Sequence, residues 1–432
     1  MNIYKKRVTI VQKQRFLNNR GVIMDYKELK IIKYQQYDQV EAEYHKRLNS
    51  IGTIRTDLYP YLMQRGLFKT KQYPLFVVPL LDIQLLIQKI NENSIQIRNI
   101  SSLLPKVAHQ HFYREQLYKA VINTNEIEGI KTTRKEVSDA FQALKQEQNQ
   151  KTRLLSTVRM YHDITENDFL QIGSLTIIRQ IYNQLTEGEV SPDDQLDGDL
   201  FRNHSVSIVD NQTGKIEHIA PSNEEQIILM LQSWIQFINN RSLPFLIKAA
   251  VAHYFFENIH PFYDGNGRTG RYILSRYLAR KLDVFTGLVL SQKIYEQRSK
   301  YYKAFAMTGD SNNYAEATFF VKMLLEMIEE GQRDIIQLLE EKQGLLDQSW
   351  NALEGNDDYT ILQKQIIFLL LQSTIFVANP KEGLKDNELI QILRPDFSKK
   401  KIQEAIISLR ELGLIQQLSL KPSIHRLISI EF

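Results

Sequence analysis

The hydrophobic residues of this chain recur at helical spacing over most of its 432 residues. Apolar side chains three and four positions apart form the buried stripe of a helix, whereas strict alternation is typical of a half-buried strand. The pattern predicts helices over residues 80–100, 112–128, 133–148, 153–164, 175–185, 224–237, 244–259, 268–282, 294–306 and 314–353. Residues 205–210 and 215–220 instead alternate around an Asn-Gln-Thr-Gly turn, which predicts a β-hairpin. We therefore expect a mainly α fold with one small hairpin.

The pattern changes after a polar linker at residues 355–358. Helices are predicted at 359–373, 385–393 and 398–412, and strands at 414–420 and 425–430. Three helices with a two-stranded wing are typical of a winged helix-turn-helix domain. The third helix opens with Lys399, Lys400 and Lys401, which can contact a phosphate backbone. A protein-docking or dimerising module with a solvated basic helix start fits the same pattern equally well.

These patterns divide the chain into four regions. Residues 1–75 have no assignable role, and residues 76–150 form an N-terminal helical region. A helical core is expected over 151–354, and the winged-helix domain over 357–432.

Composition narrows the classes of function. The absence of cysteine excludes disulfide bonds and thiol catalysis. The net charge of +4 is too small to indicate nucleic acid binding by itself. No apolar run reaches membrane-spanning length, and the basic residues 1–20 lack the apolar core of a signal peptide. We expect a cytoplasmic protein with no membrane partner.

The densest group of reactive side chains lies between two predicted helices, in the segment His260-Pro-Phe-Tyr-Asp-Gly-Asn-Gly-Arg-Thr-Gly-Arg271. His260 is the natural general base because its free pKa lies near neutrality. Two nearby arginines disfavour its charged form and keep the imidazole able to accept a proton. Asp264 offers a hard oxygen ligand of the kind that holds Mg²⁺ on phosphates.

The second half of this segment suits phosphate. Gly265 and Gly267 let the backbone approach an anion closely at a helix start, where N–H groups and the helix dipole point outward. Asn266 can donate its side-chain amide to a phosphate oxygen. Arg268 and Arg271 lie on one side of the helix, and each can form bidentate hydrogen bonds to the outer phosphates.

The segment resembles the HPFxDGNGRxxR signature of the Fic family at every position. The resemblance implies a Fic-type helical core that uses ATP and Mg²⁺ to move AMP onto a protein hydroxyl. It implies that His260 deprotonates a Ser, Thr or Tyr and that Asp264 holds Mg²⁺. The implied nucleotide-binding residues are Gly265, Asn266, Gly267, Arg268, Thr269, Gly270 and Arg271. A sister group that transfers phosphate typically has lysine at the second glycine of the signature, so Gly267 favours nucleotidyl transfer.

A second feature is the predicted helix end Thr124-Asn-Glu-Ile-Glu128-Gly129. Thr124 and Glu128 share a helix face, and Gly129 is a suitable left-handed cap. Taken alone, this stretch also fits a solvated helix end with an ordinary glycine cap. The stretch resembles the inhibitory motif of the Fic family. The resemblance implies that Glu128 pairs with Arg271, takes the place of the γ-phosphate and forces ATP into an unproductive pose.

The resemblance extends to two more places. The hairpin over 205–220 resembles the family's flap, which would dock the target protein by strand addition. Tyr302 lies where relatives stack an aromatic ring on adenine, although core packing fits one of Tyr301 and Tyr302 as well. Relatives with this layout commonly pair, so a homodimer is a further expectation.

Two other functions fit the same residues. The site can instead remove AMP from a modified target, with Glu128 positioning a water molecule. The chain can also be a transcriptional regulator, in which the core senses a nucleotide and the winged-helix domain binds DNA.

Overall fold

The computed structural model describes residues 26–145, 154–164, 171–209, 214, 216–379 and 381–431. Within these ranges the chain is mainly helical, as expected. The α-helices, numbered α1 to α16, span Leu29–Gln35, Val40–Leu48, Leu81–Leu103, Lys106–Ile127, Arg134–Lys145, Leu155–His162, Leu175–Leu185, Glu224–Asn239, Phe245–Ile259, Asn266–Lys281, Val284–Glu296, Arg298–Gly309, Thr318–Glu354, Ile361–Phe376, Asp386–Leu393 and Lys399–Glu411. The strands, β1 to β9, span Ile54–Arg55, Leu62–Gln64, Leu67–Lys69, Phe76–Val77, Ser207–Val209, Ile216–Ile219, Leu384–Lys385, Ile415–Leu420 and Ser423–Leu427.

Helix α11 lies at the centre of the fold, packed against α4, α10 and α13. Its buried residues lie on several sides of the helix and include Phe285, Leu288 and Leu290. A helix that is apolar on all sides has no amphipathic stripe, so periodicity did not predict it. The predicted helix over 294–306 is wrong at its start, because α11 ends at Glu296 and α12 begins at Arg298.

Helix α9 is buried along almost its whole length, beside α8, α10 and α13. Trp234 of α8 donates its indole N–H to the carbonyl oxygen of Ala252 at 2.8 Å, which ties the two helices together. The helix therefore holds in place the loop that follows it. Among the helices of the described ranges, none is both long and apolar enough to cross a bilayer.

Residues 26–79 pack directly onto the helical core. Arg47 of α2 forms a buried ion pair with Glu316 at 2.9 Å. Tyr61 and Asn258 of α9 exchange two hydrogen bonds, in which the Tyr61 N–H donates to Oδ1 and Nδ2 donates to the Tyr61 carbonyl oxygen. Strand β1 pairs with β4, so the boundary predicted between residues 75 and 76 separates two strands that pair.

The C-terminal helices α14, α15 and α16 and the strands β8 and β9 lie within a few residues of their predicted positions. Strand β7 was not predicted, and it gives a three-stranded sheet in the order β7-β9-β8. Helix α16 buries Ile402 and Leu409, and its first three lysines are exposed. Because α14 packs against α4 and α13, this region lies directly on the rest of the fold.

A cluster of charges joins this C-terminal region to α4 and α5. Arg134, the first residue of α5, donates to Oε2 of Glu115 in α4 at 2.7 Å and to Glu382 at 3.1 Å. Arg114 of α4 lies 3.4 Å from Glu382. A buried carboxylate such as Glu115 needs its cation close by. The cluster therefore sets the position of α4 relative to both neighbours.

We expect Glu115→Gln to lower the free energy of unfolding by roughly 1–3 kcal/mol, because it removes the charge that Arg134 pairs with in a buried setting. The matched control is Glu404→Gln, whose carboxylate is 62% exposed and lies 3.9 Å from Lys400. That exposed pair should change the same quantity by less than about 0.5 kcal/mol. Urea denaturation measures both variants, and equal losses would contradict a structural role for the cluster.

Candidate active site

The loop from His260 to Gly265 joins the end of α9 to the start of α10. His260 ends α9 in the left-handed conformation, with φ of +51°, and Gly265 has φ of +76°. A residue other than glycine keeps this conformation only where its surroundings hold it there. Surrounding residues therefore hold the loop in this conformation.

Arg202 holds the start of the loop. Its side chain is fully buried, and it donates to the carbonyl oxygens of His260 at 2.8 Å and Pro221 at 2.7 Å. Burial lowers its pKa to about 10. The sequence analysis missed this residue, because one arginine in a polar stretch carries no pattern.

The middle of the loop is closed by Asn266 and Phe262. The Asn266 amide accepts from the Phe262 N–H at 2.8 Å and donates to the Phe262 carbonyl oxygen at 2.7 Å. The Phe262 ring stacks on Tyr182 of α7, with centroids 3.8 Å apart. Thr269 closes the next turn by donating to the Gly265 carbonyl oxygen at 2.8 Å. Asn266 was predicted to donate to a phosphate, and here its amide holds the loop.

His260 is neutral in this setting. Burial lowers its pKa to about 4, and the neighbouring His218 and Arg202 act in the same direction, while Glu128 acts against them. The two arginines of the motif were expected to have this effect, and burial is instead the main cause. A neutral imidazole can accept a proton from a hydroxyl group.

Glu257 is a buried carboxyl one turn before the loop, and the sequence analysis missed it. Burial raises its pKa to about 8, while the charge of Arg271 acts in the opposite direction. A methyl group built at Gly270 would lie 2.1 Å from Oε1 of Glu257. Gly270 therefore leaves room for this carboxyl beside α10.

Arg271 joins the loop to the end of α4. It donates to Oγ1 of Thr124 at 3.1 Å, to the Thr124 carbonyl oxygen at 3.0 Å and to Oε1 of Glu128 at 2.6 Å. The expected ion pair between Glu128 and Arg271 is thus present. Gly129 follows with φ of +73°, which ends the helix in the left-handed conformation.

The Glu128 carboxylate also lies directly on the glycine turn. A methyl group built at Gly267 would be 2.2 Å from Oε1 of Glu128 and 2.6 Å from Nη1 of Arg271. The place where the sequence predicted an approaching anion therefore holds a carboxylate of the same chain.

Arg268 is buried and already has two acidic neighbours. It pairs with Glu189, and its Nη2 lies 3.4 Å from Oδ2 of Asp264. Glu189, in the turn after α7, was not predicted to belong to the site. Any phosphate that contacts Arg268 must share it with this carboxylate.

Asp264 is the predicted Mg²⁺ ligand, and its side chain is 40% exposed. The described residues contain no group of three or more acidic or histidine side chains that could hold a metal ion. One carboxylate is enough for Mg²⁺ only when phosphate oxygens supply further ligands. The residues therefore fit a metal ion that binds together with a nucleotide.

The predicted hairpin consists of β5 and β6, which pair antiparallel. Residues 210–213 and 215 lie outside the described residues. His218 of β6 is buried and its Nε2 lies 2.6 Å from the Asn258 carbonyl oxygen, which attaches the hairpin to the end of α9. Val209 and Ile216 are exposed on it.

Tyr301 and Tyr302 of α12 have different environments. Tyr301 is buried, and its hydroxyl lies 2.9 Å from Nε2 of His253. Tyr302 is 51% exposed. The charges of Glu128 and Arg271 both affect the pKa of Tyr302, which is raised mainly by burial. Of the two tyrosines, Tyr302 therefore keeps a ring face available near the site.

Comparison with known proteins finds similarity to one family over part of the chain. The family model described as Fic/DOC matches residues 163–278. A protein named protein adenylyltransferase Fic, from Drosophila virilis, is 31% identical over 121 residues, or 28% of this chain and 22% of that protein. The protein of the same name from Drosophila melanogaster is 28% identical over 152 residues, which cover 35% of this chain and 26% of that protein. The chain thus spans about a quarter of the length of these relatives.

Solved structures give similar matches. A Fic family protein from Desulfovibrio desulfuricans is 18% identical, with a TM-score of 0.47 over 79% of this chain and 96% of that chain. The Fic-1 fragment from C. elegans is 18% identical, with a TM-score of 0.41 over 59% of this chain and 71% of that chain.

We expect the free energy of unfolding to fall by about 3 kcal/mol between pH 7 and pH 5. Burial lowers the pKa of His218 to about 4, of His253 to about 3 and of His260 to about 4. The unfolded chain therefore binds protons below about pH 6.5 that the folded chain excludes. Glu257, with its raised pKa, offsets part of this loss because it takes up a proton in the folded state.

Urea denaturation at the two pH values measures the effect. His218→Gln cannot titrate and should show a smaller fall than the wild type. A free energy of unfolding that stays constant or rises towards pH 5 would contradict the neutral, buried histidines.

Proposed function

We propose that this chain, a Fic family member through its domain at residues 163–278, is a protein adenylyltransferase that Glu128 holds inactive. One observation carries the proposal. The Glu128 carboxylate pairs with Arg271 at 2.6 Å and lies against Gly267, on the turn that would receive the phosphates. The similarity to proteins named adenylyltransferase supports the reaction class.

The proposed reaction needs one base and one nucleophile. The hydroxyl oxygen of a Ser, Thr or Tyr in the target attacks the α-phosphorus of ATP. The bond between the α- and β-phosphates breaks, AMP becomes attached to the target and pyrophosphate leaves. His260 takes the hydroxyl proton, for which its low pKa keeps the imidazole in the accepting form at neutral pH.

The residues that would hold ATP follow from the same loop. Backbone N–H groups at the start of α10, around Gly265 and Gly267, face the phosphates. Arg268 and Arg271 bind the outer phosphates as planar, permanently charged groups. Asp264 would hold Mg²⁺ together with the phosphates, and the ion would neutralise part of their charge.

Inhibition follows from competition between two anions for one cation. Arg271 is 3% exposed and already pairs with Glu128. The outer phosphate of ATP and the Glu128 carboxylate cannot both lie against Gly267. ATP therefore binds in a productive pose only when Glu128 moves away.

The hairpin of β5 and β6 is the proposed docking place for the target. Its attachment to Asn258 through His218 keeps it beside the end of α9, two residues from His260. Its exposed apolar residues Val209 and Ile216 are available to an added strand.

We expect Glu128→Gly protein, incubated with ATP and Mg²⁺, to gain the mass of one or more AMP units by intact-protein mass spectrometry. The wild type should gain none, because its carboxylate occupies the phosphate place. The double variant Glu128→Gly with His260→Ala should also gain none, because the base is missing.

Glu126→Gly is the matched control, since it makes the same change in the last turn of α4 without contacting Arg271. A gain in that control equal to the Glu128→Gly gain would show that the helix end, and not the carboxylate, restrains the enzyme. No gain in any variant would contradict the transfer reaction.

DNA binding by the C-terminal region is a second proposed activity. It is supported by the exposed lysines at the start of α16 and by the β8–β9 hairpin that follows. We expect the full chain to bind duplex DNA with an affinity that falls as salt rises, because lysines on phosphates release counterions. Replacing Lys399, Lys400 and Lys401 by Gln should reduce the salt dependence in a gel-shift titration. No shift with the wild type would exclude this activity.

A further inference from the structure

A large cavity lies away from the glycine turn and is used by none of the proposed chemistry. Its volume is about 680 Å³, which is in the range of small-molecule sites. It is bounded by parts of α3 and α4 and of α6 to α11. These include the three helices that carry Glu128, His260 and Arg271 at or near their ends.

Most of the cavity wall is apolar. Its aromatic surface comes from Trp234, Phe256 and Phe285. The small side chains of Ala249 and Ala252 in α9 also line it and leave the cavity open. All five residues are buried. A ligand body that fits here must therefore be apolar and of moderate size.

One part of the wall carries a buried cation. Lys248 is 8% exposed, and its Nζ donates to the carbonyl oxygen of Asn240 at 2.6 Å. Within the described ranges no carboxylate pairs with it, and the charges that act on its pKa are those of Lys281 and Arg280. Burial is the largest cause of its lowered pKa. A buried ammonium group is stabilised by an anion.

The ring of Tyr277 lies near this cation, and its hydroxyl group has no hydrogen-bond partner among the described residues. Nζ of Lys248 is 5.9 Å from the ring centre of Tyr277, and the Arg280 guanidinium is 5.9 Å from the same ring. The Tyr277 hydroxyl is buried and makes no hydrogen bond within the part of the chain that the structure describes. Buried hydroxyl groups are almost always bonded. Lys248 and Tyr277 can thus donate to the same acceptor.

We propose that this cavity binds an amphipathic organic anion. Its apolar body lies against Trp234, Phe256 and Phe285. Its anionic head, a carboxylate, sulfonate or phosphate group, accepts hydrogen bonds from Lys248 and Tyr277. The inference does not depend on the proposed enzyme activity.

The test uses two dyes that share an apolar body and differ in charge. 8-Anilinonaphthalene-1-sulfonate carries a sulfonate, and N-phenyl-1-naphthylamine does not. Fluorescence titration of the full chain should give saturable binding of one sulfonate dye per chain. Lys248→Met should weaken it about tenfold, and Tyr277→Phe several-fold, because each loses one donor to the anion. Neither variant should change the affinity for the uncharged dye by more than about twofold.

Two further variants separate this site from surface binding. Lys46→Met makes the same change at a side chain that is 72% exposed and should bind the sulfonate dye as the wild type does. Ala249→Phe fills the cavity and should abolish binding of both dyes. If that variant does not fold, Lys248→Met and Tyr277→Phe decide the question.

Three results would overturn the proposal. The first is the absence of saturable binding by the sulfonate dye. The second is an unchanged affinity in Lys248→Met, which would remove the anion site. The third is a folded Ala249→Phe protein that binds both dyes as the wild type does, which would place them elsewhere.

Discussion

Arg271 carries a permanent charge at a place that water scarcely reaches, with 3% of the residue exposed. Such a charge is strongly destabilising unless acceptors surround it. Thr124 and Glu128 supply those acceptors from the end of α4, and the Glu257 carboxyl also interacts with its charge. The end of α4 is therefore attached to the start of α10. An anion that takes Arg271 as its partner at the glycine turn competes with Glu128.

The loop beside this ion pair is held from several directions. Tyr61, from the N-terminal residues, bonds Asn258, and His218 of the hairpin bonds its carbonyl oxygen. Arg202 bonds the carbonyl oxygen of His260. These contacts explain how His260 keeps a left-handed backbone without glycine's freedom. Tyr61 and Glu128 both lie outside the residues that the family model matches, so the geometry of the site depends on more than that domain.

Most of the correctly predicted helices have one side facing the core and the other facing water, and α9, buried on nearly every side, was predicted as well. Helices α8 and α14 begin with side-chain caps from Asn223 and Thr360. Helix α11 escaped prediction because it is apolar on every side, and β1, β4 and β7 escaped because strands of two residues have no period to detect. The pairing of β1 with β4 and the packing of residues 26–79 depend on partners far along the chain.

The sequence by itself determined the chemistry of the loop, since His260, Asp264 and the glycines lie within one short segment whose residue types limit what it can do. It also determined that Thr124 and Glu128 share a face, because helical geometry is local. Tertiary structure alone decided which distant groups meet that segment. Arg202, Glu189 and Glu257 became part of the site through packing, and burial set the low pKa of His260. No local pattern could predict these distant site residues or the low pKa of His260, because burial and long-range contact are properties of the folded chain.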